Sequence, residues 1–113
     1  MTKTWNDALT ACKLIDGHLI EPANQQQNDN IADLAGALSN DWYWIGITDS
    51  ETEGDWKTAS TKTTIPFENW APGQPDNFGS NNYGVMLVNI GTANHGKWVD
   101  NPFFSSYRFI CQL

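Results

Sequence analysis

Apolar residues recur twice at helical spacing near the start of the chain and then give way to shorter runs rich in aromatic and branched side chains. Trp5, Ala8 or Leu9, Cys12 and Ile15 follow one another three or four residues apart, the interval that places side chains on one face of an α-helix. Thr4 with Asp7 three residues on resembles a capping box, Asp standing in for the usual Glu or Gln, and Gly17 ends the run. A short strand over 18–21 and the break at Pro22 lead to a second helix. It starts at Asn24 with Gln27 three residues on, and its apolar positions are Ile31, Leu34, Ala35 and Leu38. Residues 42–47 and 83–90 predict strands, with shorter ones at 55–57, 97–99 and 108–111. Helices first and strands afterwards predict an α+β domain.

Between these elements lies an irregular stretch from about 58 to 82. Loops longer than about 12 to 15 residues are uncommon in compact domains unless they are functional or disordered. Phe67, Trp70 and Phe78 argue that this one is anchored. Its centre, APGQPDNFGSNNYG (71–84), contains ordinary turn formers such as Asn77, Gly79 and Gly84. It also gathers the side-chain oxygens of Gln74, Asp76, Asn77, Ser80, Asn81 and Asn82 around Pro75, and hard cations such as calcium take oxygen ligands of this kind.

At 113 residues, with six tryptophans, five phenylalanines and three tyrosines, the chain has material for one modest aromatic core. Residues 1–113 are therefore read as a single domain. Thirteen acidic against six basic residues give a net charge of −7, with no run of Lys or Arg, which makes nucleic acid and anionic membranes poor partners. No apolar stretch approaches the ~20 residues that span a bilayer, and MTKTWNDALTA holds no signal-peptide core. Cys12 and Cys111 stand near the two ends. Two buried thiols of a cytosolic protein are one reading. A bridge would close nearly the whole chain into one loop, worth roughly 4 to 5 kcal/mol in the chain-entropy account; the size of that effect favours the disulfide and a secreted, extracellular setting.

WIGITDSETEGDW (44–56), NWAPGQPDN (69–77), KWVDNP (97–102) and FIC (109–111), in this order, resemble the C-type lectin-like domain family from Thr4 to Gln112. The resemblance implies a double-looped α+β fold: two helices, two small antiparallel sheets, and a long loop carrying calcium and sugar sites. It implies that the cysteines matching Cys12 and Cys111 are bonded to each other. Carried over position by position, it implies calcium (Ca2+) ligands at Gln74 and Asp76 on either side of Pro75, which in the family follows a cis peptide bond, and at Asn82 and Asp100. The same residues, with Phe78, would hold the sugar. Gln74-Pro75-Asp76 is similar to the family's galactose-type motif, so terminal galactose or N-acetylgalactosamine is the implied glycan. A second calcium position maps to Asp49, Glu53 and Asn77, with Tyr83 where a further carboxylate is expected.

The departures from the family pattern modify these expectations. Val99 offers no side-chain oxygen where the family has Asn, and Asn82 is neutral where the family has a carboxylate. Asp76 and Asp100 remain as the charged ligands, which predicts weak calcium binding, with dissociation constants of about 10⁻⁴ to 10⁻³ M. The alternative is a calcium-independent module that binds protein or another non-sugar ligand such as ice. Gly84 and Phe103 replace two cysteines that the family pairs, and Phe103 is expected to pack where that bridge would lie. Only MTK precedes Thr4, so the family's first strand is short or missing, and 108–113 is expected to form an exposed edge open to homodimer pairing. Trp70 and Trp98 flank the site as core residues. His18 reads as packed or capping and His95 as exposed, neither at zinc-ligand spacing. With no nucleophile motif, and with Asp49, Glu51, Glu53 and Asp55 crowded into one turn, a binding protein is expected rather than an enzyme.

Overall fold

Two side-chain caps start the two helices. In the computed structural model, which describes residues 2–76 and 81–113, Thr4 Oγ1 accepts the Asp7 N–H at 3.3 Å at the start of α1 (Trp5–Lys13). Asn24 Oδ1 accepts the Gln27 N–H at 2.9 Å at the start of α2 (Gln25–Leu38). Each cap satisfies an N–H that a helix start leaves without an internal partner. α1 buries Trp5, Ala8 and Cys12 as its spacing predicts, but Ile15 lies past the helix end and is exposed. The buried face of α2 differs from the predicted one. It carries Asn28, Ala32 and Ala35, while Leu34 and Leu38 are 71% and 86% exposed. The two alanines let the helix approach closely, and Asn28 has a hydrogen-bonding task inside.

The spine of the main sheet is β2 (Trp42–Thr48), antiparallel to β3 (Lys57–Thr58) and to β4 (Asn81–Leu87), which continues to antiparallel β5 (Trp98–Pro102). A second sheet pairs β1 (His18–Leu19) with β7 (Cys111–Gln112) in antiparallel register. β6 (Arg108–Phe109) pairs with β2 in parallel. Side chains alternate across β2. Tyr43, Ile45 and Ile47 join Ala32, Ala35 and Trp98 in one apolar cluster, and Trp44 joins Trp5, Ala8, Cys12 and Leu19 in another. The Cys12–Cys111 disulfide, with Cα atoms 5.4 Å apart, ties α1 to β7 across 99 residues of sequence.

Gly84 is needed where it stands: a Cβ there would run into Ile47. Phe103 does not fill the place of the absent bridge as expected. It is 55% exposed and meets only the ring of Phe104 among the ring contacts of the described residues. The edge at 108–113 is less open than expected. Lys3 and Tyr107 exchange main-chain hydrogen bonds of 2.9 and 3.0 Å, β6 and β7 are paired, and within 108–113 Gln112 and Leu113 alone are exposed.

Candidate functional site

The long loop is held down by its aromatic residues and by main-chain bonds to one tryptophan. Phe67 and Trp70 both pack edge-on against Trp98 with ring centroids 5.6 Å away, and Trp56 packs against Trp70 at 4.8 Å. The Trp98 N–H donates to the Asn69 carbonyl at 2.9 Å, and the Trp98 carbonyl accepts the Ala71 N–H at 2.8 Å. Trp98 is itself fixed from below. Its indole N–H donates to Asn28 Oδ1 at 2.8 Å, while Asn28 Nδ2 donates to the Gly96 carbonyl at 3.0 Å. Both Asn28 and Trp98 are fully buried, where an unpaired polar group is costly, so these bonds set the position of the strand that carries Asp100.

Around this anchor, Gln74, Asp76 and Asp100 come together. The Gln74–Pro75 bond is cis. The Asp100 N–H donates to Gln74 Oε1 at 3.3 Å, and the Asp76 N–H donates to Asp100 Oδ1 at 3.2 Å. Asp100 is 3% exposed. Asn81 joins the group, its amide donating to Asp76 Oδ1 at 3.1 Å; sequence reasoning gathered Asn81 among the loop oxygens but chose Asn82 as the ligand. The main chain of Asn82, the ligand the resemblance implies, is held by β2. Its carbonyl accepts Thr48 Oγ1 at 2.7 Å and the Asp49 N–H at 3.2 Å. Val99 packs against the cluster of Trp5 and Trp44. Phe78 and Asn77 lie outside the described residues.

The second acidic set is less solvated than its composition predicts. Asp49 is 2% exposed; Oδ2 accepts the Gly54 N–H at 2.8 Å, and buried Oδ1 has no hydrogen-bond partner. Burial, followed by the neighbouring Glu53 carboxyl, pushes Asp49 up to about 6, against the Gly54 N–H, which acts the other way. Between the ordinary value and about 6 the folded protein holds a proton that the unfolded chain has released. Stability from this group is therefore present at low pH and lost as pH rises through about 6. In calcium-free buffer the protein should melt higher at pH 5 than at pH 7, by a difference of about 1 kcal/mol in stability, and Asp49→Asn should remove that difference. Equal pH dependence of wild type and variant would refute it. Tyr83, paired across the sheet with Thr48 beside this set, turns into the core against Trp5, with ring centroids 4.7 Å apart.

The histidines divide. His18 is half-buried beside Glu21 as a packed residue, its Nδ1 3.7 Å from Glu21 Oε2. His95 is not exposed as expected: Nδ1 accepts the Asn89 N–H at 3.0 Å, so Nε2 carries the proton toward Asp33 Oδ1 at 2.9 Å. Among the described residues, no group of three or more His, Cys, Asp or Glu side chains could hold a metal ion. No helix among them is long and apolar enough to cross a membrane.

Comparison with known proteins agrees with the fold and covers the whole chain. The family described as the Lectin C-type domain matches residues 1–113. A human protein, C-type lectin domain family 4 member K, is 32% identical over 116 aligned positions covering 97% of this chain and 33% of its own length. The carbohydrate-recognition domain of the mouse scavenger receptor C-type lectin superposes with a TM-score of 0.84 at 26% identity, covering 97% of this chain and 80% of that one. The cow carbohydrate-recognition domain of CD23, solved in the presence of a GlcNAc2Man3 oligosaccharide, superposes with a TM-score of 0.82 at 27% identity, covering 97% and 79%. The chain spans about half or less of the length of the curated relatives it matches. With its two helices, two sheets and terminal disulfide, the chain belongs to the C-type lectin domain family, whose members are non-enzymatic binding domains.

Proposed function

We propose that this domain binds carbohydrate with calcium, with a preference for terminal galactose or N-acetylgalactosamine, through Gln74, Asp76, Asn82 and Asp100 and with Phe78 beside the sugar. The observation that carries this reading is the convergence of Gln74 Oε1, Asp76 and the buried Asp100 around the cis Gln74–Pro75 bond. The donor set fits a hard cation, being amide and carboxylate oxygens. It is short of charge, because Asn82 is neutral and Val99 contributes nothing. Bound calcium would supply coordination positions for two adjacent sugar hydroxyls. Gln74 and Asp76 would set, through the sense of their hydrogen bonds, which pair of hydroxyls fits. Asp49 and Glu53, with Asn77, form a second and weaker cation set, supported by the orphaned Asp49 Oδ1. The disulfide supports a secreted, extracellular protein. A homodimer through the 108–113 edge belongs to this reading, and a monomeric sedimentation profile would remove it.

A second reading is favoured by one observation. Asp76 and Asp100 already accept hydrogen bonds from Asn81 Nδ2 and from the Asp76 N–H, so donors of the chain itself occupy oxygens that a cation would need. This is the calcium-independent module binding protein or another non-sugar ligand. A glycan array read with calcium and with EDTA separates the two. Galactose should outcompete mannose in calcium, Gln74→Glu with Asp76→Asn should move the preference toward mannose, and Phe78→Ala should weaken galactose binding selectively. Equal inhibition by both sugars would remove the galactose assignment, and binding that survives EDTA would favour the second reading.

A further inference from the structure

A cavity of about 220 Å³ opens between α1, the end of β2 and β3, and no residue of the Gln74–Asp76–Asp100 cluster lines it. Trp5, Leu9 and Ala59 give it an apolar wall. Around it stand Lys13, Lys57 and Lys62, which are half of the six basic residues of a chain whose net charge is −7. Glu51 is the one acidic residue in the lining. The sequence hides this concentration, because the three lysines come from the last turn of a helix, a strand and a turn.

The lysines are not equally committed. Lys57 lies 3.6 Å from Glu51 and 3.7 Å from Asp55, loose pairs of the kind that contribute little at a surface. Among the described residues, Lys13 and Lys62 have no ion-pair partner. Lys62 is also held at φ 56°, a left-handed conformation uncommon outside glycine and asparagine. Backbone held in such regions clusters at ligand sites. Salt limits the reach of the remaining negative charge to about 8 Å at physiological strength, so an approaching anion meets the local lysines rather than the net charge of the molecule.

We infer that this cavity is an anion-binding site for a single saccharide-sized ring bearing an oxyanion, either a sulfate ester or a carboxylate. The volume equals that of about seven waters, more than a bare sulfate needs and enough for one six-membered ring against the apolar wall. The oxyanion sits between Lys13 and Lys62 in charge-assisted hydrogen bonds, and the ring covers Trp5 and Leu9. The site does not depend on calcium or on the long loop.

The test is an NMR amide titration of the isotope-labelled protein in calcium-free buffer with glucose 6-sulfate, glucuronate, neutral glucose and sodium sulfate as separate probes. At least one anionic sugar should move the Trp5 indole N–H and the amides of Ser50 and Lys62 in a saturable way, weakening as salt is added. Which of the two does so identifies the oxyanion. Lys13→Gln with Lys62→Asn should weaken that binding about tenfold or more while leaving the rest of the spectrum unchanged, since both side chains are exposed and asparagine tolerates the backbone at 62. The inference is overturned if neither anionic sugar saturates, if glucose moves the same signals equally, if sodium sulfate alone binds as tightly as the sugar sulfate, or if the double variant binds as well as wild type. Because calcium is absent throughout, none of these results depends on whether the long loop is a sugar site.

Discussion

Reduction of the Cys12–Cys111 bridge is expected to lower stability by about 4 to 5 kcal/mol, which for a domain of this size corresponds to a fall in melting temperature of more than about 15 °C. The bond joins residues 99 apart, so it removes from the unfolded chain almost all the conformations in which its ends are far apart. It also holds two otherwise separate elements. Cys12 is fully buried on α1, and Cys111 lies in β7, whose strand partner among the described residues is the two-residue β1. Such a short pairing is weak by itself, and α1 supplies Trp5 and Ala8 to the cluster around Trp44. Losing the tie should therefore free the C-terminal strand first. Thermal melts with and without a reductant, and of the Cys12→Ser, Cys111→Ser variant, measure the effect. A midpoint that moves by only a degree or two would show that packing alone holds the ends together.

Asn82→Glu is expected to have the second largest effect, and its sign separates the two readings of the loop. If Gln74, Asp76 and Asp100 form a calcium site short of one charge, a third carboxylate should tighten calcium by about 1.5 to 3 kcal/mol, the scale of a hydrogen bond to a charged group, or roughly ten- to hundredfold in affinity. Sugar affinity should rise with it. If no cation binds, the new carboxylate stands near two others with nothing to neutralise it, and the fold should become less stable at neutral pH. Calorimetric titration with calcium, combined with melts in calcium and in EDTA, reads both signs. No calcium heat in wild type or variant, together with a lower melting temperature for the variant, would exclude the calcium-dependent reading. Val99→Asn would be a poorer partner for this test, because Val99 packs against the cluster of Trp5 and Trp44 and an amide there carries its own burial cost.

The misreadings of the sequence share a cause. On α2 the leucines at 34 and 38 continue the helical interval from Ile31, and periodicity alone places them inside. The helix is rotated instead toward Asn28, because Trp98, 70 residues away, brings an indole N–H that must be satisfied once buried. His95 reads as a turn residue, and it is one, yet Asp33 on α2 and the Asn89 N–H occupy both its nitrogens. Phe103 offered a plausible apolar filler for a missing bridge, but Ile47 already occupies the space beside Gly84. In each case the deciding partner is remote in sequence.

What the sequence determined by itself is what short-range physics settles. The caps at Thr4 and Asn24 find their N–H partners three residues on; alternation in the 42–48 strand sorts its residues between two clusters; and two cysteines leave one intramolecular pairing to choose. Only the tertiary structure decided which groups meet across the closed loop: that Asn81 reaches Asp76, that Asp49 is buried with an oxygen left over, and that three scattered lysines face one cavity. The physical reason is that a local hydrogen bond depends on a few backbone angles. The burial and charge of a long-range site depend on the packing of Trp44, Trp98 and their neighbours, whose positions are set only when the whole chain closes.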